Sequence, residues 1–410
     1  MQIGNLDLES LVNSRAGLVS KLKEIKPLPE VPLINRYLAI INYKENSNVF
    51  TISGSGFSLN KQEAMISSVG EAIERYCAHI IDSNIKWSSY RNLQSNGDVL
   101  DPSLITRLTE EQYKNKYNQL PPDLNTKLGW STCVDFQTGK DIFVPTEMIY
   151  LRKIQNPLIR DIISTGLACG PTKDNAIQNG LLECIERDSF MLFWLFLRAN
   201  FKIDISSLDD NHEISKLYLL AKRFRLNVTL LDITTDLGIP SIVTILTKNG
   251  TSGFYMGCAS HINYEQAIYK SLKEGIGGYS IYYESLYIHD TVIPRSADEI
   301  RTLDDHVLYY FAGNHDNILS DIDHGNKIVD AKHLLNTKNI SLKSLKDFPI
   351  YYKNITSEDI KEIGVSVVRV VCPTLCYLPV GESFLSCQRI ERFKVNYNKI
   401  ELNLAPHPFP

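Results

Sequence analysis

The chain lacks the marks of several broad classes. It has no run of 18 or more apolar residues, so no membrane-spanning helix is expected. Its opening, MQIGNLDLES, has no basic stretch followed by an apolar one, which argues against a secretory signal. Charge of one sign is also missing. Lys and Arg number 43 against 47 Asp and Glu, for a net charge of −4. That balance gives no support to nucleic acid or a membrane surface as partner. The eight cysteines include no C-x-x-C pair. Cys372 and Cys376 are spaced C-x-x-x-C, but no second pair or nearby His completes a zinc set. They read as buried free thiols in a reducing cytoplasm. Gly54-Ser55-Gly56 lacks the third glycine of a dinucleotide fingerprint.

What remains is ordinary for a globular protein. The 410 residues are 43% apolar and 22% charged, enough for a large core and, by length alone, two or three domains. Residues 37–54 alternate as a strand pair, and GSGFS reads as the turn after it. Asn60 opens a helix, with Glu63 completing a capping box. Its apolar stripe is Ile66, Val69, Ile73, Tyr76, Cys77 and Ile80. Residues 90–128, broken by Pro102, Pro121 and Pro122, read as loop or short helix. GWSTCVDF and KDIFVPTEMIYL read as a hairpin. STGLACGPT is a second small-residue turn, and Thr172 caps a long helix to about Arg198. A helix is expected over 209–225. LNVTLLDIT, PSIVTILT and SGFYMGC follow as antiparallel strands. A third helix follows GCASHIN, with Asn263 and Gln266 as a capping box and Ser271 and Glu274 on its surface. Strand, small-residue turn and carboxylate-bearing helix thus recur three times as a weak internal repeat. Residues 286–345 read as polar and peripheral, SVVRVVCPTL as a buried strand, and PHPFP as extended polyproline II.

One polar signature occurs twice. SSVGEAIERY contains Ser67-x-x-x-Glu71-x-x-Glu74-Arg75, and NGLLECIERD contains Asn179-x-x-x-Glu183-x-x-Glu186-Arg187. At about 100° per residue, each set shares one helix face. The second set continues into Phe190 and Trp194, so its helix is buried, and buried carboxylates require cationic partners. Internal Glu–Arg pairing would meet that need. Carboxylates also suit a hard cation such as Mg²⁺, and guanidinium suits phosphate. The combination points to a metal–nucleotide site.

These segments resemble the YcaO family. GSGFSLNKQEAMISSVGEAIERYC is similar to its first ATP-binding block, STGLACGPTKDNAIQNGLLECIERDSFMLFWL to its second and AIYKSLKEG to its third. PHPFP resembles the family's C-terminal PxPxP motif. The likeness spans about residues 50–410. It implies an α+β protein of mixed and antiparallel sheets, with residues 1–36 as an N-terminal segment and 37–410 as one catalytic domain. The polar insert at 286–345 and the tail at 406–410 belong to that domain.

The resemblance also implies an activity. YcaO cyclodehydratases act on Cys, Ser or Thr of a ribosomally made precursor peptide. The side chain attacks the preceding amide, ATP phosphorylates the amide oxygen, and loss of phosphate leaves a thiazoline or oxazoline. The implied cofactors are ATP and Mg²⁺. By similarity, Ser67, Glu71, Glu74, Arg75, Asn179, Glu183, Glu186, Arg187 and Glu274 bind ATP, and Glu71, Glu74, Glu183 and Glu186 hold Mg²⁺. The Pro410 carboxylate acts in catalysis. No N-terminal stretch looks long enough for a fused precursor-recognition domain. A separate E1-like or ThiF-like partner is therefore expected, with a flavin-dependent dehydrogenase in the same complex. The expected assembly is a homodimer or a hetero-complex.

Some positions depart from the family pattern. Ser55 stands where Lys is frequent, Pro171 where Asn is, and Asn175 where Glu is, with Asp174 a substitute one residue earlier. Gly277 and Gly278 occupy the stretch where a Gln follows the third-block Glu. These departures keep two alternatives open: a thioamide- or amidine-forming enzyme, and a non-catalytic scaffold of a peptide-modifying complex. His306, His315, Asp316, Asp321, Asp323 and His324 lack regular spacing and read as solvated loop. Cys169 reads as a small buried residue.

Overall fold

Alternation sets the first sheet. Tyr37, Ala39 and Ile41 are buried along one strand, and Ile52, Gly54, Gly56 and Ser58 along the next, as a one-face-buried antiparallel pair requires. The computed structural model describes residues 2–410 except 4–5, 14–16, 46, 119–120, 155–157, 288–290, 315–317, 323–326, 343–344, 346, 382–385 and 398–400. The chain runs through β1 (Lys21–Glu24), β2 (Asn35–Glu45) and β3 (Asn48–Ser58) into α1 (Lys61–His79). Next come β4 (Lys86–Ser88), β5 (Leu128–Asp135), β6 (Asp141–Pro145) and β7 (Leu167–Gly170), followed by α2 (Lys173–Phe196). Then β8 (Phe201–Asp204), α3 (Glu213–Arg223), β9 (Leu226–Asp232), β10 (Ser241–Lys248) and β11 (Phe254–Ser260) lead to α4 (Tyr264–Tyr287). The last labelled elements are α5 (Leu303–Phe311), β12 (Ile328–Asp330), β13 (Tyr351–Asn354), β14 (Ser366–Val371) and α6 (Gln388–Tyr397).

Three sheets carry the helices. Their orders are β1-β2-β3, then β4-β5-β13-β14-β7 with β6 also on β5, then β11-β10-β9-β8-β12. The labelled strands pair antiparallel except β8 with β12, which run parallel. Helix α1 covers β2 and β3, α4 covers β10 and β11, and α2 packs on β7 and β14 as well as β10 and β11. The α+β reading of mixed and antiparallel sheets holds. The repeat takes the form of a strand followed by a helix, the small-residue segments lying largely in the strands: α1, α2 and α4 each pack on the strand just before them. On α1 the buried line is Val69, Ala72, Ile73 and Cys77. Each fully buried aliphatic side chain contributes about 1.5–3 kcal/mol. Ile66 and Ile80, read as part of this stripe, are exposed. Among the described residues, no helix is long and apolar enough to cross a membrane.

Several local readings are corrected. GSGFS is the end of β3, not a turn. A Cβ on Gly54 would lie 2.3 Å from the Ala72 nitrogen, and one on Gly56 2.1 Å from the Ala64 oxygen, so these glycines let α1 lie against the strand. Asn60 caps α1, but the Glu63 carboxylate accepts from the Ser58 hydroxyl at 2.7 Å rather than closing a capping box. LACG is β7, paired with β14. Ser271 is buried, bonded to Thr244 and the Gly257 carbonyl. The 286–345 stretch is not peripheral throughout, because α5 buries His306, Val307, Leu308, Tyr310 and Phe311.

Candidate functional site

A cleft of about 1220 Å³ opens where α1, α2, α4 and the tail meet. It is lined by Ser67, Glu71, Glu74, Arg75, Asn179, Glu183, Arg187, Glu274 and Pro410. Of the residues expected to bind ATP or Mg²⁺ or to act in catalysis, Glu186 alone is not on its wall. The Glu186 carboxylate sits 3.1 Å from Arg187 Nη1 and accepts from the Ser260 N–H at 3.2 Å.

The α1 side is the more exposed. Glu71 accepts from the Ser55 N–H at 2.6 Å and the Ser55 hydroxyl at 3.0 Å, and pairs with Arg75 at 2.6 Å. Arg75 also donates to the Ser53 carbonyl at 3.2 Å. Glu74 reaches across to β7, accepting from the Cys169 N–H at 2.7 Å. Burial pushes the Glu74 carboxyl well above the ordinary range. The Cys169 N–H opposes this, and the charges of Glu183 and Glu71 add to it.

The α2 side is enclosed. Glu183 accepts from the Gly166 N–H at 3.2 Å and lies 3.6 Å from Arg187. Gly166 adopts φ +86° and packs beneath α2; a Cβ on Gly180 would lie 2.7 Å from its carbonyl. Only small residues let this turn approach the helix so closely. Burial raises the Glu183 pKa against the pull of Arg187. Burial lifts Glu186 to about 7 and Glu274 to about 8, and carboxylate neighbours add to each shift. For Arg187, desolvation opposes the charge, yet Glu186, Glu183 and Glu274 hold its pKa above the ordinary value. Desolvated carboxylates thus outnumber the guanidinium beside them, and that imbalance favours a cation.

The donor set fits Mg²⁺ because it is all hard carboxylate oxygen. Among the described residues, no three His, Cys, Asp or Glu side chains form a metal-holding group on their own. The four glutamates expected around Mg²⁺ therefore do not make a ready cage: Glu71 is tied to Ser55 and Arg75, and Glu186 lies behind Arg187. Mg²⁺ typically takes one or two carboxylates and completes its shell with phosphate oxygens and water.

The tail reaches this site along α2 and α5. Pro406, His407, Pro408 and Phe409 are buried and Pro410 lines the cleft. Trp194 Nε1 donates to the Ala405 carbonyl at 2.9 Å and the Tyr310 hydroxyl to that of Pro406 at 2.5 Å. His306 and His407 stack at 4.1 Å between centroids. Because the Gly381 N–H donates to His306 Nε2, His306 Nδ1 carries the proton and donates to the His407 carbonyl at 2.7 Å. By the same logic His407 donates from Nε2 to Pro379 and accepts from the Phe409 N–H at Nδ1. Both rings are neutral with every nitrogen partnered. Burial drives the His306 pKa down to about 4 and that of His407 well below its usual value.

Sequence reasoning missed this clamp, since it read His306 as solvated. His315, Asp316, Asp323 and His324 lie outside the described residues. It also missed two supports. Asp188, next to Arg187, is fully buried and pairs with Arg389 at 2.7 Å, which in turn bonds Asp236 at 2.8 Å. Arg369, inside the apolar β14 run, donates to the carbonyls of Met148, Ile163 and Ser164, holding the loop before Gly166. The charged residue following the second ExxER, and an Arg interrupting a valine run, were the available signals.

Departures from the family pattern also find their places. Ser55 satisfies Glu71. Pro171 lines the cleft, whereas Asp174 and Asn175 do not; Asn175 accepts from Thr172 at the start of α2. A Cβ on Gly277 would sit 2.4 Å from the Phe57 ring, so Phe57 fills the space a Gln would need. Cys169 is half-buried, and burial raises its thiol pKa, so it has no activated-nucleophile character.

A family model described as YcaO cyclodehydratase, ATP- and Mg²⁺-binding, matches residues 55–376. An uncharacterised protein of Methanothermobacter thermautotrophicus is 26% identical over 380 residues, 87% of this chain and 89% of its own. An uncharacterised protein in the tfuA 3′ region of Rhizobium leguminosarum bv. trifolii is 25% identical over 224 residues, covering 53% of this chain and 50% of its own. Among solved structures, a heterocyclase in complex with substrate and cofactor matches 98% of this chain at TM-score 0.77 and 19% identity; the chain spans 56% of that protein's length. YcaO from Methanopyrus kandleri bound with AMPPCP and Mg²⁺ matches at TM-score 0.61 and 17% identity over 89% of each chain. The E. coli microcin synthetase McbBCD complex with pro-MccB17 bound matches at 0.61 and 16%, over 89% of this chain and 90% of that one. These structural likenesses establish a shared fold.

Proposed function

The chain belongs to the YcaO family of ATP- and Mg²⁺-binding proteins, and from that membership we propose that it cyclodehydrates Cys, Ser or Thr of a ribosomally made precursor peptide to thiazoline or oxazoline. The observation that carries this reading is the cleft itself. Both ExxER helices, Glu274 and the tail converge on one volume large enough for a nucleotide and part of a peptide.

In this reading Glu74 and Glu183, with Glu71 and Glu186 beside them, would hold Mg²⁺, which would supply charge neutralisation at the phosphates. Arg75 and Arg187 address phosphate oxygens and keep their neighbouring carboxylates oriented. Ser67, Asn179 and Glu274 complete the polar wall. The substrate thiol or hydroxyl attacks the preceding amide carbon and its proton leaves. The amide oxygen takes the γ-phosphoryl group of ATP, releasing ADP. Expulsion of phosphate with loss of the amide proton then closes the C=N bond. Pro410 places its carboxylate beside the reacting amide, where it accepts or returns a proton. The precursor is delivered by an E1-like or ThiF-like partner, and a flavin-dependent dehydrogenase in the same complex would oxidise the ring.

The test is mass spectrometry of a candidate precursor incubated with the chain, the partner, ATP and Mg²⁺. Loss of one water per ring, with ADP and phosphate released, is the expected result. Exchange of one oxygen for sulfur would identify the thioamide-forming alternative, and replacement by nitrogen the amidine-forming one. Adding residues after Pro410 should slow ring formation more than it weakens nucleotide binding. A second reading, a non-catalytic scaffold, is favoured by Phe57 filling the space beside Gly277. Absence of nucleotide binding in calorimetry would decide for it.

A further inference from the structure

We propose that Phe409 is a positioning residue of the nucleotide centre: its ring holds one face of the Arg187 guanidinium, so tail docking and metal–nucleotide binding are linked equilibria. The proposal rests on reading the cleft as a metal–nucleotide site.

The Arg187 guanidinium carbon lies 4.5 Å from the Phe409 ring centroid, and the Phe190 ring backs Phe409 at 4.7 Å. Phe409 is completely buried. Arg187 also borders the cleft, and it pairs with Glu183 at 3.6 Å and with Glu186 at 3.1 Å. Nη1 is nevertheless a buried donor without a hydrogen-bond acceptor among the described residues, although it lies 3.1 Å from Glu186. Hydrogen bonds therefore do not fully fix this guanidinium. The aromatic face supplies the missing constraint, because a cation is drawn to the negative face of the ring and a planar guanidinium stacks on it.

The rest of the tail fixes where that ring sits. Backbone carbonyls of residues 405, 406 and 407 are bonded to Trp194, Tyr310 and His306. Anything that undocks the tail removes the floor under Arg187. The guanidinium is then free to move toward Glu183, where it competes with a metal ion for the same carboxylate. Linkage is reciprocal, so a bound metal–nucleotide must in turn favour the docked tail.

The experiment replaces Phe409 in the full chain by mono-, di-, tri- and pentafluorophenylalanine, which keep the shape while withdrawing the negative face, with Phe409→Leu as a genetically simple companion. Calorimetry with Mg²⁺ and a non-hydrolysable ATP analogue should show Kd rising stepwise with fluorination, by about three- to tenfold at the end of the series. Across the fluorinated series the thermal midpoint without nucleotide should stay level, whereas Phe409→Leu should lower it. The fluorine resonance of the monofluorinated ring should shift when Mg²⁺ and the analogue are added. A flat Kd series, or an unmoved resonance, in a chain that binds the analogue normally overturns the linkage while the site reading stands. Failure of the unmodified chain to bind the analogue overturns both.

Discussion

The two helices that carry the same signature do not put it in the same surroundings. On α1 the Arg75 side chain is 43% exposed and Glu71 28%, and Ser55 alone supplies two hydrogen bonds to the carboxylate. On α2 Arg187 is 16% exposed and Glu183, the counterpart of Glu71, 26%, with Glu186 and Glu274 pressing further negative charge upon the arginine. The residue after each arginine repeats the contrast. Tyr76 reaches an exposed Asp359 at 2.8 Å, whereas Asp188 is sealed against Arg389. Water and serine can serve the first copy. The second has only protein, the tail and whatever ligand enters, so its charges are sensitive to each of them.

The largest test of this contrast is structural. Arg389→Met strands Asp188 as a buried charge and should cost about 3–5 kcal/mol in urea unfolding. Tyr76→Phe, at the matching place after α1, should cost about 1 kcal/mol or less. Comparable losses at the two positions would erase the distinction.

Next comes ligand affinity. Glu183→Gln should weaken binding of Mg²⁺ and nucleotide by about 10–100-fold or more, as loss of a built-in carboxylate does, and Glu74→Gln should follow it. Glu71→Gln should cost less, because Ser55 and Arg75 already occupy that carboxylate. Calorimetry that ranks Glu71→Gln as the most damaging of the three would reverse the comparison.

A smaller effect is the pH dependence of stability, with opposite signs in two regions. Glu186 and Glu274 have raised pKa values, so their contribution is full below about 4.5, their ordinary value, and is lost as pH rises through about 7 to 8. Added Mg²⁺ and nucleotide should therefore raise the thermal midpoint more at pH 8 than at pH 6. His306 has a lowered pKa, so its contribution is present above 6.5 and is lost as pH falls toward about 4. The free chain should be most stable between these limits. A ligand-induced shift in midpoint that does not change from pH 6 to pH 8 would count against the carboxylate assignment.

Much of the architecture was legible because it depends on local rules. Alternation marks β2 and β3, the run SVVRVV marks β14, and Asn60 and Thr172 cap α1 and α2 by bonds within three residues. The glycine-rich segments misled at first reading. Gly54, Gly56 and Gly170 look like turn residues, but they lie in strands beside which a helix must pass, and that need is invisible until the helix is placed. Ser271 misled for a related reason: helical spacing places it near Glu274 without telling which side meets β10 and β11.

By itself the sequence determined that two helices would each carry two carboxylates and a guanidinium on one face, since that follows from helical period alone. It also determined that PHPFP would be stiff and unable to join a sheet interior, because proline fixes φ and removes the donor. Only the tertiary structure decided that these faces converge, that Glu186 stands behind Arg187 instead of on the cleft wall, and that His306 clamps the tail from a stretch that reads as solvated loop. Those outcomes depend on contacts between residues about 100 or more positions apart, such as His306 with His407, Cys169 with Glu74 and Arg389 with Asp188. Periodicity carries no information about such pairs, because burial and charge compensation act on the assembled core and not on the local chain.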